Sequence, residues 1–357
     1  MEQQGTIREL PFTGSHFERG LQRGELLRES FVAPPVPGVT AEFVQACFDL
    51  TARVYPPVIE EFEGIVRGGG FGRDAMMAYY FGRLESQLGG CTMVAVAQQR
   101  RSSGLGPLVG RNYDWAISDL RWCALHRLEP PDAPRRIGYT HHWAGYPDCL
   151  NERGLYVAIA SLPPVPVRAP GIQWSVLVDM ISETCVSADE GAELCARVRH
   201  LRSISYLLAD GDGGMCAVEA TPEEVRCRMP REGVLVVTNA PQRGRLAGKW
   251  EPEPPGGVPH PDIELDSPGR HARGIARSDR RQRRAEELLD AAGDGISREG
   301  LAALLADHAA PTCICPESRP DGGRWGTIWS GLCEPAAGEF LIAPGPPCSH
   351  PYERFSL

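Results

Sequence analysis

From Cys91 onward the sequence runs in blocks, and the order of those blocks limits the fold more than any single motif does. Short β-rich runs at 92–97 and 107–114 are separated by the turn-forming Ser102-Ser103-Gly104, which predicts a hairpin that begins at the cysteine. Further strands are expected at 136–143, 155–161, 203–210, 214–220, 224–229 and 234–238. Two helices interrupt them, 175–185 and 187–198, the second opened by the capping box Ser187-Ala188-Asp189-Glu190. A Pro/Gly-rich stretch at 241–274 cannot sustain a regular element and reads as a surface excursion. Helices at 278–292 and 297–308 follow, and then two strands, 326–334 and 339–344, joined through Ala336-Ala337-Gly338. Strands, two helices, strands, two helices and strands imply an α+β architecture in which helices cover largely antiparallel sheets. A doubly wound parallel fold would need strand and helix to alternate one for one.

The residues before Cys91 have a different texture. Gly14-Ser15-His16 starts a helix over 17–30, Thr40 opens an amphipathic run through Phe62, and a third helix is expected over 74–87. Glycine punctuates at Gly68-Gly69-Gly70 and Gly89-Gly90. The chain therefore divides into a helical segment, 1–90, and a β-rich body, 91–357, expected to form one structural unit. With 42% hydrophobic and 23% charged residues it has the composition of a globular protein. A net charge of -9 excludes general attraction to nucleic acid or an anionic membrane. Its first twenty residues hold no apolar signal-peptide core, and no later run approaches a membrane span, so a cytoplasmic location is expected. Twelve cysteines in scattered apolar contexts suit reduced core thiols better than a disulfide framework.

Gly89-Gly90-Cys91-Thr92 stands where helix gives way to strand. Glycine leaves the preceding carbonyl unshielded, so the Cys91 sulfur can attack it to give a thioester. Hydrolysis of that ester frees a chain that begins at Cys91. Its α-amino group, titrating near pH ~7.7–8.0, then serves as base for its own thiol. Gly110-Arg111-Asn112-Tyr113-Asp114-Trp115 returns along the hairpin. There Arg111 is suited to stabilising a thiolate and Asp114 to holding the terminal ammonium. Two asparagines at strand ends, Asn151 in Cys149-Leu150-Asn151-Glu152-Arg153-Gly154-Leu155 and Asn239 in Val236-Val237-Thr238-Asn239-Ala240, are suitable oxyanion donors. Each motif by itself also fits an ordinary turn or surface pair.

In this order the four motifs resemble the acyl-coenzyme A:6-aminopenicillanic acid acyltransferase family, which is related to the choloylglycine hydrolases. The resemblance extends to the Gly14–Glu25 helix start, Thr327-Ile328-Trp329 and Gly338-Glu339-Phe340. It implies a four-layer αββα sandwich of the N-terminal-nucleophile type, autocatalytic cleavage before Cys91, and hydrolysis or transfer at linear amides. It further implies Cys91 as nucleophile, Arg111 and Asp114 around it, and Asn239 with Asn151 at the oxyanion. An arginine on a later helix is also implied. Arg281 and Arg280 both match, and helical periodicity favours Arg281, which shares a face with Ala285, Leu288 and Ala292. Ala240 departs from the family, where a bulkier polar residue often stands.

Other signals carry less. His141-His142 and Cys313-Ile314-Cys315 lack a second half at zinc spacing, so no metal is expected. The seven arginines of 270–284 suit the phosphates of acyl-coenzyme A, but nearby Glu286, Glu287 and Asp290 favour a solvated helix face. The reading is a cysteine amidohydrolase taking a small N-acyl substrate, without cofactor. Acyl transfer is the alternative, and so is an uncut, silent relative acting as a binding module. A Cys-His enzyme would need a histidine beside Cys91.

Overall fold

The structure is a computed structural model and describes residues 7–84, 90–140, 145–242, 268–310, 312–318 and 324–357, with the backbone alone over 268–275 and 317–318. Gly89, His141-His142, most of the 241–274 stretch and the ends of the strand expected at 136–143 and the helix expected at 74–87 lie outside the described residues. Among the described strands, one sheet runs β1 (Glu9–Thr13), β4 (Ala124–Glu129), β5 (Arg136–Thr140), β6 (Asp148–Asn151), β7 (Leu155–Ser161), β8 (Ile204–Asp210), β9 (Met215–Ala220) and β10 (Val225–Arg228). The second runs β11 (Val234–Val237), β2 (Thr92–Val96), β3 (Leu108–Ala116), β13 (Arg324–Glu334), β14 (Glu339–Ala343) and β15 (Glu353–Ser356), with the two-residue β12 (Glu317–Ser318) at the start of β13. Every pairing is antiparallel except β1 with β4.

Helices α5 (Trp174–Thr184) and α6 (Ala188–Arg197) pack on the first sheet, and α7 (Pro268–Ala292) and α8 (Arg298–Leu305) on the second. The sheets face each other across a core that includes the Tyr156–Phe340 and Tyr139–Trp329 edge contacts. The molecule is thus the four-layer αββα sandwich. A second, smaller apolar cluster lies between the second sheet and α7/α8, built from Val94, Val96, Leu108, Val236, Leu289, Leu301 and Leu305.

Several expected elements are altered, each for a local reason. The run from Thr40 to Phe62 is two helices, α2 (Ala41–Val54) and α3 (Pro57–Gly69), because Pro56 forces Tyr55 out of helical geometry. The complete capping box is at Ser15/Glu18 of α1 (His16–Leu27), where each side chain bonds the other's backbone. At α6, Ser187 caps Glu190 N–H, but the Glu190 carboxylate takes the N–H of Val186 instead. The third helix is short: α4 (Arg73–Met77) passes into a π-helical turn, Ala78–Gly82, which carries Tyr79 and Tyr80. Strands β1, β4, β6, β12 and β15 are additional to those expected.

The residues before Cys91 are built into this frame. Glu183 on α5 accepts from His16 at 2.8 Å and pairs with Arg136 at 2.6 Å, joining α1 to the first sheet. Helices α1 and α3 cross through glycines: a Cβ on Gly64 would lie 2.2 Å from the Phe17 carbonyl oxygen, and one on Gly20 2.1 Å from that of Glu61. Alanine is the better helix former by about 1 kcal/mol, yet Gly64→Ala must push the helices apart, an overpacking cost of about 1–3 kcal/mol. We expect Gly64→Ala to lower the Tm by several degrees, and Gly300→Ala in α8, where a Cβ meets only Ser297 Oγ at an ordinary 3.6 Å, to leave it unchanged or higher. Thermal unfolding of both variants is the check.

Candidate active site

Strand alternation decides what each residue near position 91 meets. Cys91 directly precedes β2 and is buried, at 2% exposure, and with Met93 and Ala95 it belongs to the inter-sheet core, whereas Val94 and Val96 face α7 and α8. The expected hairpin forms, with Thr92 opposite Asn112 and Met93 opposite Arg111. On β3, Arg111 and Tyr113 point between the sheets. Asn112 points the other way, donating to the carbonyls of Leu305 and Thr312 at 2.8 and 2.6 Å.

Arg111 is fully buried and already partnered. Its guanidinium bonds the Asp148 carboxylate, the Pro147 carbonyl at 3.0 Å and the Ile159 carbonyl at 3.1 Å, and stands 4.7 Å over the Tyr113 ring. Burial works against its charge, but Asp148 and the neighbouring Cys91 hold its pKa above the usual value. Asp148, which no motif flagged, also accepts from Trp329 Nε1 at 2.7 Å. At Cys91 burial is the largest effect and raises the thiol pKa, against the downward pull of Arg111, the Asp114 backbone N–H and Arg281. The arginine therefore acts in the direction the sequence suggested, without overcoming desolvation in the uncut chain.

Asp114 is buried beside the Gly90–Cys91 junction. Its Oδ1 accepts from the Thr327 hydroxyl at 2.6 Å, while its Oδ2 has no hydrogen-bond partner among the described residues. Gly90 is required here by that close approach rather than by an unusual backbone angle, since a Cβ would lie 2.5 Å from Asp114 Oδ2. Burial pushes the Asp114 carboxyl up to about 7, with Arg281, the Thr327 bond and Arg111 pulling it down. A bulge in β13 makes this arrangement possible. Thr327 pairs with Asp114 and Trp329 with Tyr113, with Ile328 extra between them. The extra residue lets Thr327 reach Asp114 while Trp329 turns over to stack on Tyr113, centroids 4.0 Å apart.

Arg281 of α7 reaches the same junction. It donates to Thr92 Oγ1 at 3.2 Å, the Cys91 carbonyl at 3.4 Å and Asn239 Oδ1 at 3.1 Å. Arg280 is exposed. Asn239 in turn donates from Nδ2 to the Ser161 carbonyl at 2.7 Å and hydroxyl at 3.2 Å. Asn151 is not brought to this site. Its amide nitrogen bonds the Ser182 and Cys185 carbonyls, and its oxygen accepts from Arg153 and Leu155 N–H, so it holds the β6–β7 turn to the end of α5. Both donors of the Asn151 amide are spent there.

Cys91 opens into a cleft of about 680 Å3, part of it open solvent, lined by Tyr79, Tyr80, Tyr113, Trp115, Trp174, Arg83, Arg202 and Ser161 among others. The π-helical turn that supplies the first two tyrosines gave no sequence signal. Residues 100–347, more than half of the chain, match the family described as acyl-coenzyme A:6-aminopenicillanic acid acyl-transferase. The chain belongs to that family. It is accordingly an enzyme of the amidohydrolase and acyltransferase kind, acting on acyl amides. Within the family match lie Arg111, Asp114, Asn239 and Arg281, and Cys91 precedes its first residue. No curated protein matches the chain. Similar solved structures include a mutant conjugated bile acid hydrolase from Clostridium perfringens, at 14% identity and TM-score 0.47, covering 75% of this chain and 97% of that one. Penicillin V acylase from Agrobacterium tumefaciens has 12% identity and TM-score 0.47, covering 75% and 86%. A Caenorhabditis elegans N-acylethanolamine-hydrolyzing acid amidase ortholog has 12% identity and TM-score 0.44, covering 69% and 93%. At such scores these likenesses carry no weight for the chemistry.

The Asp114 environment has a measurable consequence for this family member. Unfolded, an aspartate loses its proton near pH ~3.9, whereas the folded chain holds it up to about 7. Folding thus retains a proton between those values, and the stability contributed by the neutral carboxyl, full at low pH, is lost as pH rises through about 7. In denaturant unfolding from about pH 4 to about pH 7, a Cys91→Ala chain should lose stability more steeply than Cys91→Ala/Asp114→Asn. Parallel curves would refute the assignment.

Proposed function

We propose that the chain cuts itself between Gly90 and Cys91 and then works as a cysteine N-terminal-nucleophile amidohydrolase on small acyl amides. The observation that carries this reading is the buried Oδ2 of Asp114 at the junction, which has no hydrogen-bond partner among the described residues. A buried carboxylate oxygen without a donor costs about 1–3 kcal/mol or more, and a free α-ammonium at residue 91 supplies the missing donor. In the cut, the Cys91 sulfur attacks the Gly90 carbonyl carbon, and the C–N bond breaks as the proton passes to the departing amine. Water then hydrolyses the thioester, leaving a Gly90 carboxylate and the Cys91 thiol. Residues 7–84 share a core, the β1–β4 pairing and the Glu183 ion pairs with the remainder, so the two pieces stay together after the cut.

In the processed enzyme the Cys91 amine takes the thiol proton, the sulfur attacks the substrate acyl carbon, and the protonated amine gives its proton to the leaving amine. Asp114 holds the ammonium, Arg281 orders Asn239 and the start of β2, and Asn239 turns one N–H from the Ser161 hydroxyl toward the oxyanion. Arg111 places a fixed positive charge near the sulfur, oriented by Asp148. Asn151 has a supporting role in its turn. The aromatic walls of the cleft suit an apolar acyl group, and Arg83 and Arg202 on its lining suit a substrate carboxylate. Transfer to a second amine remains the second reading, favoured by the family's description as an acyl-transferase. A Cys-His mechanism lacks support, since no histidine lines the cleft among the described residues.

Mass measurement of the purified chain tests the first step, with conversion to a product beginning at Cys91 as the expected result. Cys91→Ala should stay intact and inactive. A wild-type chain that remains whole after long incubation at neutral pH would sink the proposal. For the second step, the processed enzyme should turn over N-acyl amino acids faster than the matching uncharged amides, with released acid measured. Added amine, with or without acyl-coenzyme A, distinguishes transfer from hydrolysis.

A further inference from the structure

Away from the cleft, three thiols and an imidazole converge from three places in the chain. Cys313 and Cys315 flank Ile314 between α8 and β13, His308 stands just past the end of α8, and Cys348 lies between β14 and β15. Cys348 Sγ is 3.5 Å from Cys313 Sγ and 3.6 Å from Cys315 Sγ. His308 Nε2 is 3.5 Å from Cys315 Sγ, and all four atoms lie within 4.8 Å of one another. We propose that these residues form a structural metal site of the Cys3His type, taking a zinc-like divalent ion. The expectation from sequence that Cys313-Ile314-Cys315 lacks a second half is corrected by the fold, which supplies it from His308 and Cys348.

The geometry fits the ion. Zinc–sulfur bonds of about 2.3 Å at tetrahedral angles set ligand sulfurs about 3.8 Å apart, close to the observed spacings. A disulfide needs sulfurs about 2.05 Å apart, and it would use two of the thiols and leave the third beside the imidazole. Thiolate and imidazole ligands together select zinc over magnesium or calcium. Binding releases three thiol protons to solvent and leaves a site of net charge −1, with neutral imidazole as the fourth ligand. Three of the four ligand residues are exposed, so an ion has a way in. The segments are also held without the ion: Cys313 N–H donates to Asp307 carbonyl at 3.1 Å, Thr327 N–H to Ile314 carbonyl at 2.8 Å, and Ile314 N–H to Thr327 Oγ1 at 3.0 Å.

That last bond connects the site to the junction. Ile314, bracketed by two ligands, supports the hydroxyl that bonds Asp114, and its Cδ1 lies 3.0 Å from the position of a Cβ on Gly90. The metal therefore fixes one wall of the bond that is cut, a consequence that rests on the cleavage reading, although the metal site itself does not.

The test uses the full chain. Purified protein, dialysed against metal-free buffer, should carry about one zinc per chain by plasma mass spectrometry. The uncut Cys91→Ala chain should carry the same, so a failure of cleavage and a failure of metal binding are told apart. Cobalt replacement should give sulfur-to-cobalt charge-transfer and tetrahedral ligand-field bands. In competition with a chelator, Cys348→Ser and Cys315→Ser should each weaken zinc binding by at least about tenfold, since losing even an outer-shell partner of a ligand costs about 10–100-fold, while Cys227→Ser, at another exposed thiol, leaves it unchanged. A folded wild-type chain that takes up no stoichiometric zinc or cobalt overturns the proposal, as does a mass short by two hydrogens that reports a Cys313–Cys348 or Cys315–Cys348 disulfide. The wild-type measurement decides the question even where a variant fails to fold.

Discussion

A carboxylate taken out of water and left with one oxygen unbonded is costly, and the centre of this molecule is organised around such a group. Asp114 is held by a hydroxyl on one side and lies against a glycine on the other. What surrounds it comes from three separate segments: Thr327 through the bulge of the neighbouring strand β13, Arg281 from α7 in the helical layer, and Gly90 from the segment that precedes β2. The bulge is decisive because a regular β13 would send Thr327 and Trp329 to the same face. With Ile328 inserted, one side chain serves the carboxylate and the other serves Tyr113 and Asp148.

The same alternation separates two electrostatic environments that lie only a few residues apart. Between the sheets, Arg111 and Asp148 form a buried ion pair, with further guanidinium N–H groups donating to the Pro147 and Ile159 carbonyls and Nε left without a partner among the described residues. Removing one partner of such a pair typically costs about 3–5 kcal/mol, because the other charge is left buried alone. On the helix side, Asp114 and Arg281 surround the junction without a direct ion pair between them among the described contacts. The thiol stands at the boundary and feels both, and in the uncut chain burial still outweighs the two arginines. A free amine at residue 91 would change that balance by adding a proton acceptor to the thiol and a cation to Asp114.

Much of this was readable in the sequence because it is written in local periodicity. The hairpin from Cys91, the helix face that selects Arg281 over Arg280, and the two pairs of helices covering the sheets follow from spacing alone. Contacts made across the sandwich were not readable. Asp148 begins a strand with no motif around it, yet it fixes Arg111. Asn151 has the composition of an oxyanion donor, but its turn is pinned to the end of α5, which consumes both amide hydrogens. Gly90 looked like a flexible residue and is instead a small one. The cysteines divided in the same way: those in apolar runs, such as Cys195, are buried as expected, whereas Cys348 is far from Cys315 in sequence and meets it only through the β13–β14 hairpin.

The family match begins after Cys91, so the surroundings of the thiol are read from the structure. That geometry makes one substitution especially informative. Gly90 has φ outside the left-handed region, so an alanine there meets no backbone strain of its own. What it meets is Asp114 Oδ2, 2.5 Å from the added carbon, and Ile314 Cδ1, 3.0 Å from it. The effect of the methyl therefore passes through the carboxylate, the Ile314 side chain and the position of the Gly90 carbonyl relative to the sulfur. Under the proposed cleavage the attack needs reacting atoms about 3–3.5 Å apart, so a methyl that displaces Asp114 and Ile314 beside the Gly90 carbonyl would act on that step first.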